Sequence, residues 1–240
     1  MTIRNPGILL TGTINPGSAI NLKRTKAEDR EHDYRIAIEQ WLKLGYRVVF
    51  VENSGYESKQ IAALTESHEL EFLQFQTQKS HLGKGAGEAE ILEYAFARSA
   101  VLRESETVLK VTGRYFVGNA RSIVEAAPVG DSIWVSAILK QYLTFADSRF
   151  FIFRNEFYSH YLKAALAQVD ETAGIYFEHG LARAIHACLA DGHSWRPLPE
   201  YPVFEGYYGT ENTRIKNDLL RRWKRKLVLS AANFLTRIDY

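Results

Sequence analysis

Four short apolar runs, each followed by a stretch with helical spacing, constrain this chain more than any other feature. Gly7-Ile8-Leu9-Leu10-Thr11-Gly12-Thr13-Ile14 reads as a first buried strand, and Asn15-Pro16-Gly17 as the turn after it. Behind a capping-box spacing of Thr25 with Glu28, residues Tyr34, Ala37, Ile38, Trp41 and Leu44 recur at helical intervals, and Gly45 ends the helix. Arg47-Val48-Val49-Phe50-Val51 is the second strand, a weaker helix follows around Ser58 to Glu66, and Glu71-Phe72-Leu73-Gln74-Phe75 is the third strand. Glu88 then opens a helix carrying Ile91, Leu92, Ala95, Phe96 and Ala100, and the fourth strand starts at Val108. Strands alternating with helices predict βαβ units, a mostly parallel sheet and right-handed crossovers.

The second half is less regular. Strands are expected at 132–137 and 149–153 with a loop between them, and helices at 156–167 and 177–190. The stretch 192–209, rich in proline, glycine and aromatics, reads as an irregular wrap, and the chain reads as helical from Thr213 onward. With 240 residues, 46% of them hydrophobic, the chain suits one α/β domain with a small appendage. The single cysteine, Cys188, forbids an intramolecular disulfide and reads as a small core residue, in keeping with a reducing, cytoplasmic setting. No signal-peptide core, membrane-spanning run or Cys/His metal spacing is present in the sequence. The net charge of +2 is unevenly spread. Residues 213–240 hold eight Lys/Arg against two acids, which leaves the preceding 212 residues at −4.

Four segments carry candidate chemistry. Lys110, Thr112, Gly113, Arg114 and Tyr115 stand at and just past the end of the fourth strand, where open α/β sheets bind ligands. They read either as an anion-binding strand end or as a surface turn. Gly83-Lys84-Gly85-Ala86-Gly87 matches neither the Walker nor the Rossmann glycine pattern. It reads as a glycine segment with one cation at a helix N-terminus, suited to a phosphate or sugar hydroxyl, or as a plain loop leading into a helix. Glu52 and Asn53, at the end of the second strand, suit ribose hydroxyls or a base edge, or an Asx-type turn. Glu178 and His179 open a later helix, where a carboxylate could act as general base; the bland alternative is a helix-start acid beside a surface histidine.

With these strand ends in hand, the chain resembles bacterial cell-surface-polysaccharide glycosyltransferases of the GT-A, nucleotide-diphospho-sugar transferase type. Ile8–Ile14, Val49–Gly55, Gly83–Glu90 and Leu109–Phe116 carry the likeness, with fainter echoes at 175–180 and 204–210. The resemblance implies a GT-A-like domain over 1–212, a basic amphipathic helical tail over 213–240, and transfer of a sugar to a surface glycan such as O-antigen, capsule or lipooligosaccharide. It implies that Thr11, Gly12, Thr13 and Asn53 line the nucleotide. Lys84 and Arg114 then face the diphosphate, Glu178 is the base if the enzyme inverts, and Glu52, Gly85, Glu88, Lys110, Thr112, Gly113, Tyr115 and His179 complete the donor site. The class usually ends its fourth strand in an Asp-x-Asp motif that carries a divalent metal. Thr112-Gly113-Arg114 fills that place here, so a guanidinium replaces two carboxylates, and neither a metal nor another cofactor is expected.

In the tail, Ile215, Leu219, Trp223, Leu227, Ala231, Phe234 and Ile238 keep helical spacing among seven Lys/Arg within residues 214–226. A basic amphipathic helix with an interfacial Trp suits an anionic membrane surface, and a peripheral location at the inner face of the cytoplasmic membrane follows. The alternative is a helix packed on the body or on a second copy, which leaves a homodimer open. The expected partners are thus a nucleotide-diphosphate sugar, a glycan or lipid-linked glycan acceptor and the membrane. The rival class, a nucleic-acid-binding module built on the basic tail, has an acidic body against it.

Overall fold

A computed structural model describes residues 3, 6–17, 22–67, 69–127, 130, 132–215 and 219–235. In chain order the strands and α-helices are β1 (Gly7–Gly12), α1 (Ala27–Lys43), β2 (Arg47–Glu52), α2 (Lys59–Leu64), β3 (Leu70–Gln74), α3 (Lys84–Arg98), α4 (Ala100–Glu104), β4 (Thr107–Thr112), β5 (Phe116–Val117), α5 (Ala120–Glu125), β6 (Trp134–Ser136), β7 (Leu139–Lys140), β8 (Phe145–Ala146), β9 (Phe150–Arg154), α6 (Lys163–Leu166), α7 (Phe177–Ala190), β10 (Ser194–Arg196), β11 (Phe204–Glu205) and α8 (Leu219–Leu235).

Seven strands form one sheet in the order β10-β6-β9-β4-β1-β2-β3. β9 runs antiparallel to both neighbours, and every other pairing in the sheet is parallel. The expected mostly parallel α/β sheet is therefore present. Alternate side chains of each strand go to opposite faces. On β1, Leu9 joins a core with α3, α4 and α7, whereas Ile8 and Leu10 join a core with α1, α2 and α5. Helices thus cover both faces, and all six residues of β1 are buried. Truncating a fully buried leucine such as Leu9 to alanine should cost about 2–5 kcal/mol.

Several local expectations need correction. The predicted Thr25/Glu28 box does not form: α1 starts after Lys26, which makes no side-chain cap bond. The backbone N–H groups of Lys23 and Arg24 instead donate to the Gly209 carbonyl, tying the approach to α1 to a distant loop. α3 starts at Lys84, four residues earlier than expected, so Gly85 and Gly87 lie inside its first turns. The expected helix over 156–167 is broken into a π-turn at Tyr158–Leu162 and the short α6, with Tyr158 stacked on Phe96 at 3.8 Å between ring centroids. The irregular wrap after 192 contains two strands, and β10 forms an edge of the main sheet. The loop expected between the strands around 134 and 150 is a hairpin, β7–β8. Its tip holds Gln141, Tyr142 and Leu143 in succession at φ of 49°, 55° and 67°. The left-handed conformation costs a non-glycine residue about 1–2 kcal/mol, so this tip is held by its surroundings.

The tail does not become helical at Thr213. Tyr208 N–H donates to the Thr213 carbonyl, Ile215 N–H donates to the Gly206 carbonyl, and Tyr207 pairs with Arg214. Residues 213–215 are therefore knitted to the body, and α8 starts at Leu219. Lys216 and Ile238 of the expected tail pattern lie outside the described residues.

Candidate active site at the carboxyl ends of β1 and β4

From β1 the chain moves to β2 on one side, and β4 pairs on the other. The strand order reverses here, and ligands of open α/β sheets bind in the crevice outside the carboxyl ends at such a switch point. The two strand ends are tied together, since Gly113 N–H donates to the Thr11 carbonyl at 2.8 Å. A Cβ on Gly12 would lie 2.4 Å from the Phe50 ring, and one on Gly113 would lie 2.7 Å from the Thr11 carbonyl oxygen. Both glycines are demanded by packing, whatever else they contact.

One end of the crevice is a closed chain of acid, ammonium and hydroxyl. Lys110 comes up from β4 with its side chain fully buried. Its Nζ donates to Glu88 Oε1 at 2.5 Å and to the Ser148 carbonyl at 2.6 Å. Thr11 Oγ1 also donates to Glu88 Oε1, at 2.8 Å. Ser148 Oγ in turn donates to Glu178 Oε1 at 2.8 Å. Burial pushes the Glu178 carboxyl above its ordinary range, and the charge of Glu88 adds to this. The Ser148 hydroxyl, Glu178's own backbone N–H and the Lys110 charge work the other way. A carboxyl with a raised pKa, partly exposed at a helix start, has the properties of a general base poised for a hydroxyl proton.

The other end holds cations. Arg114, just past β4, is half-buried, and its guanidinium lies so close to Gly209 that a Cβ there would sit 3.3 Å from Cζ. Its Nη2 donates to the Tyr115 hydroxyl at 3.4 Å, while its buried Nε has no hydrogen-bond partner among the described residues. Arg30, on α1, is buried and donates to the carbonyls of Thr13 and Arg24 and to the Tyr34 hydroxyl. Neither arginine enters an ion pair among the described residues. Lys84 belongs to the same field. Partial burial lowers its pKa, Glu171 opposes that, and the positive charges of Arg114 and Arg30 lower it further. An enclosed guanidinium nitrogen with no acceptor is costly unless a ligand supplies one.

The first turn of α3 is occupied from within. The Glu171 carboxylate accepts from Lys84 N–H at 3.1 Å and from Gly85 N–H at 2.7 Å. Asp170 places it by capping the turn Glu171–Ala173 through Thr172 and Ala173 N–H. The helix N-terminus expected to take a phosphate therefore already holds a carboxylate, and Gly85 is small because Phe177 N would lie 3.0 Å from a Cβ there.

Other expected donor contacts turn out to be supports. Glu52 is fully buried, and its carboxylate accepts from Ile14 N–H, Ser54 N–H, the Ser54 hydroxyl and Tyr56 N–H, so no oxygen is left for a ribose. Asn53 accepts from Thr13 Oγ1 at 2.6 Å and donates to the Gly87 carbonyl at 3.2 Å, locking β1, β2 and α3 together. Lys110 is too deep to touch a donor. Tyr115 is buried with its ring against Phe204. His179 Nδ1 accepts from Tyr176 N–H and closes the start of α7. Thr13 and Thr112 remain half-buried at the rim. Among the described residues no cluster of three or more His, Cys, Asp or Glu could hold a metal ion, and the Lys110 ammonium sits on Glu88. Sequence reading missed Arg30, Ser148 and Glu171. Each reads as an ordinary surface residue of a helix or loop, and only the fold carries it to the crevice.

No protein-family model matches the chain, and no curated protein matches it. Among solved structures it is similar to a protein assigned as a nucleotide-diphospho-sugar transferase from Desulfovibrio desulfuricans, at 12% identity and a TM-score of 0.47, over 100% of both chains. It is also similar to the glycosyltransferase GlyE of Streptococcus pneumoniae, at 8% identity and a TM-score of 0.48, over 83% of this chain and 46% of that one. A third likeness is to core-mannan synthase A of Aspergillus fumigatus in a Mn/GDP form, at 11% identity and a TM-score of 0.45, over 90% and 79%. These are coarse likenesses of shape, and what the crevice does has to follow from its own groups.

Proposed function

We propose that the chain is a glycosyltransferase that moves a sugar from a nucleotide-diphosphate donor to a hydroxyl of a glycan acceptor, without a metal ion. The observation that carries this reading is the Arg114 guanidinium at the switch point, whose buried Nε has no hydrogen-bond partner and which enters no ion pair among the described residues. Arg30 and Lys84 add to the positive field there. A diphosphate supplies the missing acceptors, and arginine can hold it in a two-pronged grip. Across the crevice, Glu178 takes the proton of the acceptor hydroxyl. The freed oxygen pair bonds to the anomeric carbon as the bond from that carbon to the phosphate oxygen breaks. The bonding electrons leave with the diphosphate, where Arg114 and Lys84 offset the added charge. Thr13 and Thr112 line the rim between these groups.

Two findings support the finer parts of this reading. The Lys110 ammonium already neutralises Glu88, which Thr11 at the end of β1 also contacts, so the charge a metal would bring is supplied by protein cations. On α8, Trp223, Leu227 and Val228 are exposed, with Lys224, Arg225 and Lys226 among them, while Leu229 is buried and Arg225 lies over Tyr201. The helix rests one side on the body and turns an apolar side outward, which suits anionic lipid at the inner face of the cytoplasmic membrane and a lipid-linked acceptor. No helix among the described residues is long and apolar enough to cross a membrane.

The test is thermal unfolding with UDP, GDP, CDP and dTDP in the presence of EDTA. A nucleotide at a hundred times its dissociation constant stabilises a protein by about 2.7 kcal/mol. At least one should raise the melting temperature of the wild type and fail to do so for Arg114→Ala. Indifference to all four would overturn the reading.

A further inference from the structure

The β7–β8 hairpin is mechanically continuous with the candidate base, and nothing assigned so far uses its tip. At its root, Ser148 bonds the Glu178 carboxylate. One step outward, the Phe145 ring meets His179 edge-on at 5.3 Å between centroids, and His179 in turn meets the half-exposed Tyr176 at 5.6 Å. At the tip, His186 Nε2 lies 2.9 Å from the Leu143 carbonyl oxygen. His179 and His186 are seven residues apart on α7, or about 10 Å along its axis. The hairpin therefore lies along α7, leading away from Glu178, and ends in Tyr142, whose side chain is fully exposed.

The root is built to hold that tip rigid. Asp147 accepts from Arg149 Nε at 2.8 Å and Nη2 at 2.6 Å, and from Lys140 Nζ at 2.6 Å. Thr144 N–H and Oγ1 both return to the Gln141 carbonyl, closing the turn in its left-handed conformation. A large ring held fully exposed on a constrained turn offers a flat contact surface at little entropic loss on binding.

We infer that this hairpin is the acceptor-side subsite and that its ligand is an oligosaccharide of at least two or three sugar units. Its terminal hydroxyl reaches Glu178, while a more distant unit stacks on Tyr142. The electron-rich face of an aromatic ring attracts the electropositive C–H face of a pyranose. The seven residues of α7 between His179, next to the base, and His186, under the tip, cover about 10 Å of helix axis, a reach too long for a monosaccharide and suited to a short glycan chain. The inference rests on the glycosyltransferase reading, whose own test, nucleotide binding, leaves Tyr142 untouched.

The experiment applies the fluorescently labelled full-length chain, saturated with the nucleotide found above, to an array of bacterial surface oligosaccharides and the corresponding monosaccharides. The wild type should bind oligosaccharides and not monosaccharides. Tyr142→Phe should keep that binding, and Tyr142→Ala should weaken it by about tenfold, the scale of one lost aromatic contact. Tyr142→Gly, at a φ that suits glycine, keeps the turn and removes the ring, so it should lose binding with its melting temperature held. Nucleotide-induced stabilisation should be the same in all four proteins. Failure of that stabilisation in the wild type overturns the catalytic reading. If nucleotide binds but no glycan does, or if Tyr142→Ala and Tyr142→Gly bind glycan like the wild type, the hairpin inference alone falls.

Discussion

The two ends of the crevice are built on opposite electrostatic plans. At the acid end Lys110 is paired with Glu88 and bonds the Ser148 carbonyl, and the Glu178 carboxylate accepts from the Ser148 hydroxyl. At the cationic end, among the described residues, Arg114 and Arg30 enter no ion pair, and the buried Nε of Arg114 has no hydrogen-bond partner. A folded chain can tolerate an unanswered buried cation when a tightly bound anion completes it. On the proposed reading, the satisfied end is preorganised for proton transfer, and the unsatisfied end takes the charge of the donor. The difference separates the two roles without reference to any relative.

The largest effect that would break this contrast is at the base. Glu178→Gln should leave nucleotide binding intact and lower transfer by about 10²–10⁴-fold, measured as single-turnover transfer with saturating donor. Transfer at the wild-type rate would move the base elsewhere. Next comes Arg114→Ala, expected to cut turnover by about 10²-fold or more, with Arg114→Lys recovering part of it, because an ammonium lacks the planar fork. The wild type should keep its activity in EDTA. Activity abolished by chelation, restored by Mn²⁺ and indifferent to Arg114 would give the charge role to a metal.

A smaller effect concerns α8. Each basic residue near an anionic leaflet contributes about 1 kcal/mol, so replacing Lys224 and Lys226 by Glu should weaken binding to phosphatidylglycerol vesicles by at least tenfold at low salt. Trp223→Ala should weaken it further. Vesicle co-sedimentation that ignores these changes would leave α8 as a purely structural element.

The smallest effects sharpen the acid end most. Glu178 must be ionised to accept a proton, so transfer should rise with pH through a pKa above the ordinary carboxyl value. Ser148→Ala removes a hydrogen bond to the ionised form and should move this limb to higher pH. Glu88→Gln removes a neighbouring negative charge and should move it to lower pH. The raised pKa also means that the folded chain holds this proton more tightly than the unfolded chain. Glu178 thus weakens the fold as pH rises past its unfolded-state pKa, and Glu178→Gln should flatten that part of the stability curve. Asp147 has the opposite sign. Burial disfavours its charge, but Arg149 and Lys140 override it and hold the carboxyl well below the usual range. Its contribution is therefore present above the unfolded-state pKa and fades as pH falls. Shifts of the transfer limb in the same direction for Ser148→Ala and Glu88→Gln would break the network as drawn.

The parallel half of the fold was legible because its signals are local. β1, β2 and β4 are apolar runs with β-branched residues, and the apolar spacing of α7 gives its limits at Phe177 and Ala190. What escaped is set by distant partners. Lys84-Gly85-Ala86-Gly87 is a poor helix opening by propensity, yet it is helical because Glu171, more than eighty residues on, accepts its first N–H groups. β7 and β8 are two residues each and leave no periodic trace. At the site, sequence found the strand ends but could not rank their groups. Glu52 and Lys110 looked as available as Arg114, and only burial and hydrogen-bond partners separate the spent from the unspent.

The one strand of the seven-stranded sheet that runs antiparallel to both neighbours has a consequence for how such a protein can diversify. Because β9 runs against its neighbours, its first residue, Phe150, lies opposite Val111 near the carboxyl end of β4. The segment that leads into it is delivered to the mouth of the crevice. Everything between Ser136 and Phe150 hangs from two fixed strands as a cassette, with Ser148 as its only bond to the Glu178 carboxylate among the described residues. Such a cassette can be lengthened, shortened or exchanged without altering the register of the sheet or the cations on the far side. On the acceptor-subsite inference, acceptor choice can then drift while donor chemistry stays put, which makes this hairpin the place to graft a new specificity.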